Sequence, residues 1–487
     1  MTMTDAGIEL QILHTNDLHA HLQAEDGKNG CLGMAEIIAV FRALRQKNPD
    51  TLILDAGDML HGTPLVNSSQ GKYMVEIANE AGYDAMTIGN HEFIYGAKGF
   101  KNLADTLHFS VLCANIYNAQ TGKYAYLPYQ IFHVHGLRLA VFGLTTPDTT
   151  KTIGRFSLQG LIFQDPIQAA QQMVQILRAQ CDVLIALTHL GIGHIVSISS
   201  RTLTQKVSGI DLIIDGHSHD RLPRGMKVGK TWIVQTGAYG EAIGVVRLCW
   251  QAGKIISQNA HLLHAREALQ IASPLAPIVH RIQEMEKRSA TFLQEVIAHV
   301  PQNLGEAGKN VRKEETWLGD LIADAFRVEA QADIGVVNAG NVRAALPQGD
   351  ITRRDVMAIF PFGNILVKQQ VTGAQLRMIL EQAVAISSPN FGGFLQVSGL
   401  VFFYNVHRPI GKRILKILVQ GQPLLPEQFY TLATNDFLAS GGEGYQILRE
   451  APVLMEGASL EEAFIHYVNV HGIAVQMGRI YLQSDAK

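Results

Sequence analysis

The chain is 487 residues long, 47% hydrophobic and 17% charged, with a formal net charge of −3. That length exceeds one ordinary domain and suffices for two unequal ones, each with its own core. A near-neutral balance without any block of Lys or Arg excludes an electrostatic footprint for nucleic acid or an anionic membrane surface, so an anionic ligand must be held locally.

The first residues, MTMTDAGIELQILHTND, carry no cationic start, no apolar core of signal-peptide length and no small-residue cleavage site. The chain as written is therefore expected in the cytoplasm, or in the periplasm or outside the cell if its N-terminus has been trimmed. No apolar run approaches the roughly 18 residues of a membrane span. From residue 8 to about 250, short apolar runs alternate with amphipathic stretches: IELQILHT, MAEIIAVFRALRQ, TLILDAGD, YMVEIANEAG and AMTIGNHE, then LRLAVFGLTT, PIQAAQQMVQILRAQ, VLIALTHLG and LIIDGHSH. This predicts alternating strands and helices. TWIVQTGAYG and IGVVRLCW follow without a helix between them, so the sheet is expected to be mixed. Cys31, Cys113, Cys181 and Cys249 are scattered singly and are expected as buried thiols.

PLAPIVHRIQEMEKRSA, residues 274–290, opens with prolines and then turns charged and helical in period, as an exposed connecting helix would. Its position predicts a first domain over residues 1–265, a connector over 266–292 and a second domain over 293–487. In the last of these, WLGDLIADAFRVEA and TGAQLRMILEQAVA read as helices, and ADIGVVNAG, VSGLVFFYN and QFYTLATNDFL as strands.

Chemistry concentrates where the apolar runs stop. Asp17 and His19 follow LQILHT, Asp58 follows TLILDAG, Asn90 and His91 follow AMTIG, His189 follows VLIALT, and His217 and His219 follow LIIDG. If these runs pair in parallel within one sheet, their carboxyl ends share one rim and residues 200 apart converge. Imidazoles and carboxylates are ligands for a pair of divalent metals, and Asp58 is the best candidate to bridge them, since each carboxylate carries two oxygens. Any one of these motifs alone is an ordinary turn or helix cap. All five in this order point to metal binding and phosphoester hydrolysis. His14 and His21 are expected to brace the first motif, and His61 and His194 to be surface or satisfied core residues.

With these motifs, and with NAGNVR, PFGN and TNDFLASGGEGY further on, the chain resembles the bacterial 5'-nucleotidase, UDP-sugar hydrolase and 2',3'-cyclic phosphodiesterase family over nearly its whole length. The resemblance implies an α/β and α+β protein: an N-terminal four-layer α/β/β/α calcineurin-like metallophosphoesterase sandwich and a smaller mixed α/β substrate-binding domain. It implies that Asp17, His19, Asp58 and His219 hold one metal and Asp58, Asn90, His189 and His217 the other, drawn from Zn, Mn, Fe or Co. His91 would be the catalytic histidine. Asn338 and Arg343 would contact phosphate or ribose, Phe362 and Phe437 would sandwich the base, and Glu443 would approach the sugar.

The implied activity is release of phosphate from nucleoside 5'-monophosphates by attack of a metal-bridging hydroxide. Its rivals are 2',3'-cyclic-nucleotide phosphodiesterase or UDP-sugar hydrolase activity, a thiosulfohydrolase, and a catalytically weak nucleotide sensor. The partner would be a nucleotide, not nucleic acid or membrane, and the protein a monomer or weak homodimer. Three positions depart from the family pattern. Ile94 stands where an Asp would orient His91, Trp317 where some relatives have an arginine, and Glu443 where Asp is more usual.

Overall fold

The computed structural model describes residues 7–24, 30–153, 158–193, 198–301, 310–386, 391–474 and 476–483. Chain contacts divide it into two compact units, Met1–Thr150 with Ser157–Arg288, and Lys151–Phe156 with Ser289–Lys487.

The first unit holds two six-stranded sheets rather than one. The first sheet runs, in spatial order, Lys254–His264, Ala242–Gln251, Ile8–Thr15, Leu52–Asp55, Ala85–Thr87 and Ser110–Leu112. The second runs Met226–Val228, Thr231–Val234, Leu212–Ile214, Val183–His189, Leu137–Thr145 and Tyr129–Val134. Both are mixed: Ile8–Thr15 is parallel to Leu52–Asp55 but antiparallel to Ala242–Gln251, and Leu137–Thr145 is parallel to Val183–His189 but antiparallel to Tyr129–Val134. An apolar run buried on both faces does not declare which sheet it joins, so the single rim expected from sequence becomes two rims.

Alternation along the strands explains the layering. Ile12, Leu54, Val141 and Ile185 interleave in a core between the sheets. Phe142, Leu184 and Ala186, on the other face of the second sheet, pack with Ala169, Met173 and Leu177 of the Pro166–Leu177 helix. Leu13 and Ile53, facing away from the inter-sheet core in the first sheet, are also fully buried. On that side the Met34–Lys47 helix buries Ile37, Ile38 and Phe41, with Phe41 edge-on to Tyr83.

The Ala276–Leu293 helix corrects the expectation of an exposed connector. Ile278, Ile282 and Met285 form a buried stripe at helical spacing, and Arg281 pairs with Glu80 at 3.1 Å. The cysteines form no disulfide among the described residues; Cys113 and Cys181 are buried, whereas Cys31 and Cys249 are only half-buried.

The second unit centres on a five-stranded sheet ordered Leu395–Ser398, Ile334–Asn338, Phe429–Asn435, Ile365–Thr372 and Val453–Ser459. A four-stranded sheet adds Gln422–Pro423, Ile414–Val419, Leu400–Tyr404 and Ile480–Leu482. Helices Trp317–Glu329, Gly373–Ala383 and Leu460–His471 share one core with these strands. No helix among the described residues is long and apolar enough to cross a membrane.

Candidate metal centre

The loops that leave the parallel strands of the first sheet are zipped to one another. Asp17 N–H donates to Gly57 O at 2.9 Å, His19 N–H to Asp58 O at 2.8 Å and Ala20 N–H to Met59 O at 3.0 Å. These bonds hold Asp17, His19 and Asp58 at φ of 51°, 44° and 56°, a region L-residues rarely occupy. His217 and His219, leaving the second sheet, are also left-handed at 81° and 55°. Such strain persists only where surrounding contacts over-determine it, and it collects at functional sites. Gly57 and Gly89 touch backbone to backbone: a Cβ on Gly57 would lie 2.6 Å from Gly89 N, and one on Gly89 would strike Asp58. Their bareness lets the Asp58 and Asn90 loops meet.

Seven of the eight candidate site residues in this half of the chain come together. Asp17, His19 and His219 form one group, Asp58, His189 and His217 a second, and His19, Asp58 and His91 a third, with potential ligand atoms of each group within 4.8 Å of one another. His189 Nε2 lies 3.1 Å from Asp58 Oδ2, and His219 Nε2 3.4 Å from Asp17 Oδ1. His217 N–H donates to both Asp17 oxygens at 3.0 and 3.1 Å, and His91 N–H donates to Asp58 Oδ1 at 2.7 Å. Asn90 is buried beside them in chain.

The donor set fits divalent cations. Asn90 Oδ1 is buried without a hydrogen-bond partner, which native proteins avoid unless another ligand completes the group. His189 Nδ1 faces Ala56 O at 2.8 Å, so one N–H sits there and Nε2 is the nitrogen turned to Asp58, where a cation would take the place of a proton. Burial opposes charge on His189, but Asp58 and Asp17 outweigh it and hold its pKa up to about 10. The two carboxylates thus demand positive charge between them. Where a carboxylate is less dominant the opposite holds: burial pulls His19 down to about 3 and His217 to about 4, leaving neutral rings ready to ligate.

The surrounding histidines divide differently from the sequence expectation. His21 does brace the motif, its Nδ1 facing Leu18 O at 3.1 Å and His19 O at 3.2 Å. His14 does not; its ring fills the space over Gly244 and its Nδ1 has no partner. His61 is neither surface nor satisfied: it is buried, stacked on His91 at 5.8 Å between ring centres, with Nδ1 unpartnered. His194 lies outside the described residues.

Glu92, the last residue of the AMTIGNHE run, also belongs to the centre. Its buried carboxylate accepts N–H bonds from Asp58 (2.9 Å), Met59 (2.8 Å), Leu60 (3.1 Å) and Gly89 (2.7 Å), tying the Asp58 loop to the Asn90 loop. Ile94 is buried in the same short 3-10 helix, His91–Tyr95.

In the second unit, Asn338 is buried, accepts from Asn435 Nδ2 at 2.9 Å, and flanks Gly340 together with Glu443. Gly340 and Gly392 appose so closely that a Cβ on Gly392 would strike Glu443. Arg343 is exposed with its guanidinium 5.5 Å from the Phe362 ring centre. Phe437 packs under Gly442 and against the edge of the core; both phenylalanines are half-buried. Trp317, by contrast, is buried in the hydrophobic core, which accounts for an apolar residue there.

Two packed mixed sheets, with paired Asp, His and Asn groups gathered at their strand ends, define a metal-dependent phosphoric ester hydrolase of the calcineurin-like type. Residues 10–221 match the calcineurin-like phosphoesterase family, and residues 296–450 match the 5'-nucleotidase C-terminal domain. The chain belongs to the family that joins these two domains, the 5'-nucleotidases. It is 29% identical to a 5'-nucleotidase of Diplobatis ommata over 99% of this chain and 91% of that one, and 27% identical to one of Vibrio cholerae with the same coverage. Among solved structures, a 5'-nucleotidase precursor from Thermus thermophilus superposes with TM-score 0.73 and 28% identity, over 98% of this chain and all (100%) of that one. A putative 5'-nucleotidase from Staphylococcus aureus shares the fold, with TM-score 0.82 at 21% identity over 98% and 100% of the two chains.

Proposed function

We propose that this protein is a two-metal nucleotide phosphohydrolase that releases phosphate from nucleoside 5'-monophosphates. The observation that carries the reading is Asp58, whose carboxylate lies within ligating range of both His19 and the His189 and His217 pair. Asp17, His19, Asp58 and His219 would hold one cation, and Asp58, Asn90, His189 and His217 the other. Mixed imidazole and carboxylate ligation suits Zn, Mn, Fe or Co. A pair of such cations supplies an activated water and offsets charge on the attacking and leaving oxygens of an in-line displacement at phosphorus.

The chain's own residues do the rest. Burial lowers the His91 pKa, so its imidazole is neutral at pH 7. Such a ring can donate one hydrogen bond to a phosphoryl oxygen or the leaving oxygen. His61 stacked on its face limits rotation of that ring. Asn338 and Arg343 would take phosphate or ribose, and Glu443 the sugar hydroxyls. Phe362 and Phe437, half-buried on a scaffold, would stack on the base, a sequence-tolerant contact. The pairing of a phosphoesterase domain with a nucleotidase C-terminal domain supports a nucleotide over other phosphoesters.

The test is phosphate release from AMP, ADP, UDP-glucose and 2',3'-cyclic AMP by metal-reconstituted protein, with His91→Asn and Asp58→Asn as controls. AMP should be the best substrate, and Asp58→Asn should lose both metal and turnover. Preference for the cyclic diester or the UDP-sugar would reassign the substrate. Nucleotide binding without turnover would replace the enzyme by a sensor.

A further inference from the structure

We infer that Tyr239 is a positioning residue that holds His219 and His19 in their ligating arrangement. The inference rests on the two-metal reading of the site.

Among the candidate ligands paired with Asp17, His219 is the least supported. Its side chain is 37% exposed, against 7% for His19, and it leaves the second sheet on a left-handed turn. Its Nε2 faces Asp17 at 3.4 Å and His19 Nε2 at 3.1 Å. Tyr239 is the aromatic ring against it, 5.4 Å away and nearly perpendicular at 81°. The same ring lies 5.3 Å from His19 and 4.9 Å from His21. One tyrosine thus touches three imidazoles, two of them candidate ligands.

The backbone under this tyrosine is strained, with φ at 58°, where a bulky aromatic is an outlier. Three hydrogen bonds keep it there. Asn16 Nδ2 donates to Gly237 O at 2.7 Å, Tyr239 N–H donates to Asp17 O at 2.8 Å, and Leu32 N–H donates to Gly240 O at 2.8 Å. Glycine would occupy this conformation without steric cost, and glycines stand at 237 and 240 on either side. A tyrosine at this position costs backbone energy and is 40% exposed as a residue, so the core does not explain it. Its contacts with the site do: a ring wedged against His19 and His219 restricts their rotamers before any cation arrives. Removing such an outer contact to a metal-ligating histidine typically weakens metal binding by about 10–100-fold.

The experiment titrates metal-free protein with Zn²⁺ against a chromophoric chelator, for the parent and for Tyr239→Phe, Tyr239→Leu and Tyr239→Gly, with His219→Ala marking the affected site. Tyr239→Phe should bind two equivalents as the parent does. Tyr239→Leu and Tyr239→Gly should keep one equivalent at parental affinity and hold the other about 10–100-fold more weakly, and His219→Ala should lose that same equivalent. The thermal midpoint of metal-free Tyr239→Gly should be no lower than the parent's, because glycine relieves the left-handed strain. Parental affinity at both sites in Tyr239→Leu and Tyr239→Gly would overturn the inference. So would loss of both equivalents with a lowered metal-free midpoint, the signature of a purely structural residue. Two intact equivalents in both His219→Ala and Asp58→Asn would instead overturn the two-metal reading beneath it.

Discussion

Glu92→Gln should destabilise the metal-free protein and loosen its centre. The carboxylate receives four N–H donors, two on each oxygen, at 2.7–3.1 Å. An amide keeps one acceptor oxygen and turns its NH₂ toward the other two N–H groups, so two charge-assisted bonds are lost, each worth about 1.5–3 kcal/mol. Against this stands relief from burying a charge: burial and the nearby Asp58 push Glu92 up to about 7. That relief offsets part of the loss and leaves a net cost of about 2–4 kcal/mol. For a unit of this size each kcal/mol moves the midpoint by about 2–4 °C, which predicts a fall of roughly 4–16 °C. Thermal unfolding of metal-free protein by circular dichroism reads this directly, and Zn²⁺ titration should show weaker binding, since the Asp58 and Asn90 loops lose their shared anchor. A fall of less than about 2 °C with parental metal affinity would refute the reasoning, because four buried amides would then have found other acceptors.

Ile94→Asp should raise kcat and shift the His91 limb of the pH–rate profile upward. In a 3-10 helix residues three apart eclipse, so a carboxylate at 94 lies on the face of His91 and favours its protonated form. The same buried charge should lower thermal stability; an unmoved pH profile with lower kcat would count against the idea. Asp320 provides a pH test in the second unit. Burial, with Glu315 and Asp324 beside it, outweighs Arg479 and raises its carboxyl to about 9. The folded state therefore keeps a proton that the unfolded chain releases above its ordinary pKa of 3.8, so this group's contribution to stability falls as pH rises from about 4 to 9. Asp320→Asn removes that dependence, and the midpoint of the variant minus that of the parent should grow between pH 5 and pH 9. A constant difference would show the carboxyl to be ionised throughout.

What could be read in the chain was what depends on local pattern. Asp17, Asp58, Asn90, His189 and His217 each follow an apolar run, and a strand that ends in a polar residue presents it at the rim of its sheet. The buried stripe of Ile278, Ile282 and Met285 was equally periodic, but the charges between them, Arg281 and Glu284 among them, suggested a solvated helix. Such charges fit a packed helix as well, because long side chains can lie along its flanks while their ends pair across the surface, as Arg281 does with Glu80. The division into two sheets was not legible from the strand residues, since runs buried on both faces look alike in either sheet.

The strained positions were the least legible, and they explain how the centre is held together. Left-handed backbone is expected at glycine, yet Asp17, His19, Asp58, His217, His219 and Tyr239 all adopt it. No local signal marks them, because the bonds that impose it join loops distant in sequence: Asp17 to Gly57, His19 to Asp58 and Tyr239 to Asp17. Each bond fixes a neighbour of another ligand, so the loops constrain one another before any cation is present. A site built this way gives up conformational stability to preorganise the side chains, and the contacts that offset that strain are Glu92 beneath the Asp58 loop and the Asn16 and Gly237 clasp beneath Asp17.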